Sequence, residues 1–283
     1  MKILSIAVNL ALMVATHTAA TFAVDLTPEE VVAKHLDSIG KKEKRNAPRT
    51  LMAVGLSEFE ARVPVITGGG KAIVVSNPDN LFWVISLNSK EYPFEKIGFF
   101  GDKVSLPFIT SGTRSLIGTF LADHSKILGD GLFGGAMSLR WNLLDVEKYK
   151  TQLRGGGTRK IDGRKLITLD YDSLSGGGAA SFTVKLYFDP ETFNHVRTEY
   201  RYEVAALEGT FGRANQQAAS VVSLIEQFAD FKETDGLNLP YTYRVTYWTN
   251  SNTGMYENSL GIKVSQYLIN QELAADFFTF DAK

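Results

Sequence analysis

The sequence predicts an α+β protein in which one large curved antiparallel sheet carries two helices against one face. Three observations lead there. Between Leu51 and Ile269 most segments alternate apolar and polar residues with a period of two. Short Gly, Asp or Asn turns join these segments, which favours antiparallel hairpins over crossover helices. Only two stretches have helical spacing, and strands accompanied by few helices define this class.

The chain has 283 residues. Lys2, an apolar run from Ile3 to Ala15 and small residues through Ala23 match a secretory signal peptide over residues 1–23. Cleavage is expected after Ala23, with Ala20 as the alternative. The apolar run falls short of the roughly 20 residues a spanning helix needs. Residues 24–283 then form a single exported domain, soluble after cleavage, because no linker divides them. Without cysteine there is no site for lipid attachment.

Residues 27–40 form the first helix: Thr27 caps, Pro28 takes the first helical position and Glu30 completes a capping box. Val31, Val32, His35, Leu36 and Ile39 make its apolar stripe, and Gly40 stops it. Lys41–Arg45 reads as a solvated loop. Strands are expected at Leu51–Glu60, Lys71–Ser76, Leu81–Leu87, Phe94–Phe100, Lys103–Leu106, Ala136–Trp141 and Tyr149–Gly155. Further strands are expected at Lys165–Tyr171, Ser181–Phe188, Asn194–Val204, Ser220–Phe231, Tyr241–Thr249 and Leu260–Ile269. Alternation is cleanest from Ser181 to Val204, where His195, Arg197, Glu199, Arg201 and Glu203 make a solvated face. The second helix spans Thr113–Leu128 and runs into the glycine-rich stretch Gly129–Gly135. Glycine triplets at 68–70, 155–157 and 176–178 read as turns.

Several chemistries are excluded or lack support. The formal net charge is −1 with no basic block, so nucleic acid is not an expected partner. The absence of cysteine removes disulfides, thiol catalysis and Cys-ligated metals. His35, His124 and His195 show no ligand spacing, so no metal or other cofactor is expected. The serine elbow, H-E-x-x-H and zinc deaminase patterns are absent. Gly68-Gly69-Gly70-Lys71 resembles part of a phosphate loop, but Ala72 stands where Ser or Thr is required. With no catalytic residue singled out, a non-enzymatic protein is expected.

Binding is the positive expectation. A sheet closed only by two helices and a glycine-rich stretch can open into a cavity. Trp83, Phe182, Tyr200, Tyr243 and Trp248 are distributed across its apolar face. The 18 Phe, 11 Tyr and 3 Trp supply the apolar area such a core needs.

At the residue level the chain resembles the LolA/LolB-like periplasmic lipoprotein carriers, the outer-membrane lipoprotein-sorting superfamily. Glu29–Gly40 looks like their opening helix. Ser76-Asn77-Pro78-Asp79-Asn80-Leu81-Phe82-Trp83 resembles a segment in which Arg-Pro precedes Leu, Phe and Trp. Gly101-Asp102-Lys103 and Thr234–Tyr241 fall at hairpin turns, Leu186–Thr192 at a later strand and turn, and Leu273–Phe280 at the closing strand. Asn77 stands where the family has its lid-latching arginine, and residues 106–155 are longer than in the compact carriers.

The resemblance implies an incomplete antiparallel β-barrel whose helices cover the concave face, in a periplasmic protein that shields acyl chains. On that reading Trp83, Phe182, Tyr200 and Tyr243 line the cavity, while Phe120, Leu121 and Phe133 form a movable lid. The ligand would be a lipid, a lipoprotein acyl chain or another hydrophobic molecule, held by a carrier or sensor. An envelope membrane protein or receptor would open the lid. Two rivals are a protein-interaction module with a collapsed cavity, serving envelope assembly or stress response, and an envelope hydrolase using His124, His195 or a carboxylate.

Overall fold

The computed structural model describes residues 26–90, 92–172, 180–205, 220–251, 254–274 and 276–278. The expected signal peptide and the glycines at 176–178 lie outside them. The described strands form one sheet: β1 (Leu51–Arg62), β2 (Val65–Ser76), β3 (Leu81–Ser86), β4 (Phe94–Phe100), β5 (Lys103–Ser105), β6 (Leu153–Ile161), β7 (Arg164–Tyr171), β8 (Ala180–Phe188), β9 (His195–Val204), β10 (Ser220–Thr234), β11 (Leu237–Ser251) and β12 (Gly254–Ile269). Their spatial order is β5-β4-β3-β2-β1-β12-β11-β10-β9-β8-β7-β6, every pair antiparallel. Two meanders therefore meet where β1 pairs with β12. β5 and β6 do not pair, so the curved sheet stays open as an incomplete barrel.

Turn chemistry fixes the registers. Gly101-Asp102, Asp162-Gly163 and Asp235-Gly236 all have positive φ and each closes a two-residue hairpin. Consecutive left-handed residues are what such hairpins require, because their twist matches that of the flanking strands.

The inner face is covered by two pieces. The first is α1 (Pro28–Ile39), capped as expected: Glu30 N–H donates to Thr27 Oγ1 and Thr27 N–H to Glu30 Oε2. Such a cap is worth about 1 kcal/mol. Val31, Val32, His35 and Ile39 are buried. The second is the β5–β6 connection, with α3 (Leu116–Asp123), α4 (Lys126–Gly129) and two 3-10 turns at Gly135–Met137 and Asn142–Leu144.

Several expectations change. Residues 41–45 are not all loop, since α2 (Lys42–Asn46) is a short exposed helix with Glu43 in its first turn and Lys44 and Arg45 in its last, the order the helix dipole favours. The helix expected over Thr113–Leu128 starts later, at Ser115's cap, and breaks at His124-Ser125. Ala136–Trp141 is no strand. Gly134 and Gly135 have φ of 87° and 47°, which bends the chain into a 3-10 turn that still buries Ala136, Met137 and Trp141.

The glycines at 68–70 lie inside β2, and those at 155–157 lie inside β6 at a bulge. A Cβ at Gly68 would stand 2.3 Å from the Leu87 carbonyl oxygen, and one at Gly70 2.7 Å from that of Ser86. These glycines admit close backbone approach, not a reversal. A second bulge, at Tyr187/Phe188, sets His195 opposite Phe188 and Arg197 opposite Tyr187. His195 thereby leaves the solvated face for the core. Trp248 faces away from Tyr243, since residues an odd number apart on an unbulged strand take opposite faces. Within Leu273–Phe280, Asp276–Phe278 is a turn that sets Phe277 5.1 Å from Phe82, so β12 is the last described strand.

Gly68→Val should lower the melting temperature by roughly 2–12 °C in thermal circular dichroism, the effect of 1–3 kcal/mol of overpacking. Gly155→Val, where a Cβ meets nothing within 4 Å, should melt within about 0.5 kcal/mol of wild type. Equal shifts for both would remove the close-approach account of β2.

Candidate functional site

Two carboxylates sit on the inner face of the sheet at positions whose neighbours in phase are apolar. Glu226 lies between Leu224 and Phe228 on β10, and Glu95 precedes Ile97 and Phe99 on β4. Both are buried. A buried carboxylate is costly unless donors surround it, and each of these holds part of the covering layer.

Glu226 accepts from three groups. Gly134 N–H and Tyr243 O–H donate to Oε1, each at 2.8 Å, and Tyr200 O–H donates to Oε2 at 2.7 Å. It thus ties the glycine-rich cover to two strands. Glu95 accepts from Tyr92 O–H and, at 2.5 Å, from Ser115 Oγ. Ser115 is the N-cap of α3 and accepts from Gly118 N–H at 2.6 Å. Burial outweighs these donors, and each carboxyl is pushed up to about 7. Arg140 adds a third anchor: its guanidinium donates to the Leu128 and Gly129 carbonyls and lies 3.7 Å over the Phe99 ring.

The sequence-derived ligand residues separate into two groups. Trp83, Phe133, Tyr200 and Tyr243 are fully buried around Glu226. Ring centroids are 5.0 Å apart for Trp83–Phe133 and 5.1 Å for Trp83–Tyr243. A Cβ on Gly134 would stand 2.8 Å from the Trp83 ring, so the cover fits the sheet closely here. Phe120 and Phe182 lie nearer the surface, 6.3 Å apart. Leu121 is buried on the inner side of α3.

Beside Phe120 opens a cleft of about 350 Å³. Leu116, Phe120 and His124 line it from the helix side, and Tyr202, Val222 and Tyr247 from β9, β10 and β11. Phe182 stacks on His124 at 4.4 Å. Burial lowers the His124 pKa, which favours a neutral ring in this wall.

The other two histidines converge elsewhere. His35 Nδ1–H donates to the Phe193 carbonyl and Nε2 accepts from Trp141 Nε1–H, both at 3.0 Å. His195 stacks on Trp141 at 4.7 Å, and its Nε2 meets Thr198 Oγ1 at 2.9 Å. Desolvation lowers His35 to about 4 and His195 well below the ordinary range, so both are neutral packing groups. Among the described residues no group of three His, Asp or Glu side chains could hold a metal ion. No helix among them is long and apolar enough to cross a membrane.

Sequence reading did not single out Glu95, Glu226 or the cleft residues Tyr202, Val222 and Tyr247. The two glutamates had a signal, a lone carboxylate in phase with inward apolar positions. The cleft had none, because it depends on where α3 lands.

The pH dependence follows from the carboxyl shifts. Below about pH 4.5 Glu226 is protonated folded or unfolded; on raising the pH the unfolded chain ionises first, while the folded chain holds its proton until about 7. The folded state's advantage is therefore complete below 4.5 and lost as pH rises through 7, on the order of 3 kcal/mol. Glu226→Gln keeps an acceptor for Gly134 and should remove that share. Urea unfolding at about pH 5 and about pH 8 should show a smaller pH difference in the variant than in wild type. An unchanged difference would rule out Glu226 as its source.

No family model matches the sequence, and no curated protein matches it. Among solved structures the chain is similar to a LolA superfamily protein from Nitrosomonas europaea, with a TM-score of 0.47 and 14% identity over 90% of this chain and 98% of that one. It is similar to an outer membrane lipoprotein-sorting protein domain from Vibrio parahaemolyticus at 0.43 and 12%, over 87% and 97%. A DUF1329 family protein from Desulfovibrio piger follows at 0.40 and 12%, over 89% and 97%.

Proposed function

We propose that the protein binds a slender hydrophobic ligand, such as a single acyl chain, in the cleft under α3 and acts as a non-enzymatic carrier or sensor. The observation that supports this most directly is the cleft wall. Phe120, Tyr202, Val222 and Tyr247 put apolar surface around about 350 Å³, near the lower end of the range for small-molecule pockets. Burying an acyl chain there is worth about 0.8 kcal/mol per methylene. Phe120 and Leu121 serve as the moving part of the lid on this reading, Phe133 as its fixed part beside Gly134, and the inner aromatics line the space that opens. A lipid or acylated protein is the expected partner, in keeping with the exported carriers the sequence resembles.

A second reading has its own support. Trp83, Phe133, Tyr200 and Tyr243 already pack against one another and Glu226, as the interior of a protein-interaction module with a collapsed cavity would.

Binding of a fluorescent fatty acid separates the two. Wild type should take it up with a saturable signal. Phe120→Asp, and independently the half-buried Val222→Asp, should weaken it at least about tenfold, a loss of some 1.4 kcal/mol, while the sheet keeps its circular dichroism. No uptake by wild type, together with no lipid in organic extracts of protein purified without detergent, would remove the carrier reading in favour of the interaction module.

A further inference from the structure

The open sheet ends in two unlike edges. β5 has three residues, with α4 packed beside it. β6 has nine; α1 packs against it, and among the described residues no strand pairs with its outer side. Backbone groups in such a row are a template for another strand. β6 also has a charge of one sign: Arg154, Arg159 and Lys160 with no acidic residue, followed on β7 by Arg164 and Lys165. Asp172 pairs with Arg154 and Asp189 with Arg164. Arg159, Lys160 and Lys165 form no ion pair among the described residues.

The bulge between Gly155 and Gly157 sets Arg154 opposite Asp170 and Arg159 opposite Leu166, which returns both arginines to one face. A Cβ at Gly155 or Gly157 would meet nothing within 4 Å, leaving room beside the strand. A basic edge repels a second copy of itself and suits a strand of opposite charge.

We propose that β6 is a docking edge for an extended acidic segment of a partner protein, which joins the sheet as an additional strand. Main-chain hydrogen bonds supply the attachment, and Arg159 on one face or Lys160 on the other selects the charge, according to the partner's register. This surface is separate from the cleft under α3, so it stands whether or not the cleft holds a ligand.

The probe is a peptide of about nine residues alternating Glu and Val, titrated calorimetrically into the full protein and followed by amide hydrogen exchange. Binding should slow exchange within Leu153–Ile161. It should weaken at least about tenfold in Arg159→Glu/Lys160→Glu, whose side chains are exposed, and remain unchanged in Phe120→Asp. A peptide N-methylated at alternate amides along its pairing edge should not bind. The proposal falls if the peptide fails to bind wild type, if a Lys–Val peptide binds equally, or if N-methylation has no effect. It falls too if β6 amides are already protected in the free protein, which would mean the edge is covered by this chain or a second copy.

Discussion

The placement of Glu226 sets the terms for the rest of the interior. A carboxyl on the inner face of a sheet has no water to solvate it, so the structure must bring donors to it. Two come from the sheet itself, the hydroxyls of Tyr200 and Tyr243. The third is a main-chain N–H, that of Gly134, from the connection that crosses the sheet. With Leu139 N–H on Ser76 Oγ and Tyr171 O–H on Asp130, that bond fixes where the connection lies. It brings Phe133 against Trp83 and Tyr243, and it places Gly135 where only a residue without a side chain fits between Phe228 and His195. Removing the acceptor would leave three buried donors unsatisfied, at about 1–3 kcal/mol each.

Glu95 repeats the device for the other end of the cover. Its partner Ser115 begins α3, so the helix start is held by a buried polar contact while its body is held by apolar ones. Between Ser115 and Gly134 the cover depends on the apolar Ile117, Phe120, Leu121, Ile127 and Leu128, on the Arg140 clamp at the end of α4 and on Tyr171 O–H donating to Asp130. Polar anchors resist sliding, because a displaced buried donor or acceptor loses its partner. Apolar contacts are non-directional and can be exchanged for others.

Much of the architecture was legible because the strands are long and their turns chemically explicit. Gly101-Asp102 falls between strand ends placed to the residue, whereas the strand expected at Tyr149–Gly155 is β6 at Leu153–Ile161, closed by Asp162-Gly163, and β10 and β11 reach Asp235-Gly236 beyond their expected ends. The capping box at Thr27 and Glu30 marks the start of α1 to the residue. Glycine was where the reading failed. The triplets at 68–70 and 155–157 read as turns, yet one serves close approach of backbones and the other a bulge, two uses that composition does not separate. Bulges have the same effect on facing: a single extra residue moves His195 from the polar row into the core. The inner cluster of Trp83, Tyr200 and Tyr243 was accessible through alternation, whereas the cleft lies between elements far apart in sequence. Of the expected ligand-binding residues only Phe120 lines it.

This division of labour bears on how the cleft could enlarge. Phe120 meets Phe182 and Tyr247 at 6.3 Å each, and no hydrogen bond ties its side chain to the sheet. Swinging the middle of α3 outward would break only apolar contacts, while Ser115 stays on Glu95 and Gly134 stays on Glu226. Exposing one large apolar side chain costs about 1.5–3 kcal/mol, which two to four buried methylenes of a ligand would offset. An acyl chain entering under α3 therefore exchanges one set of apolar contacts for another, and the buried hydrogen bonds at either end of the cover set how far the opening extends.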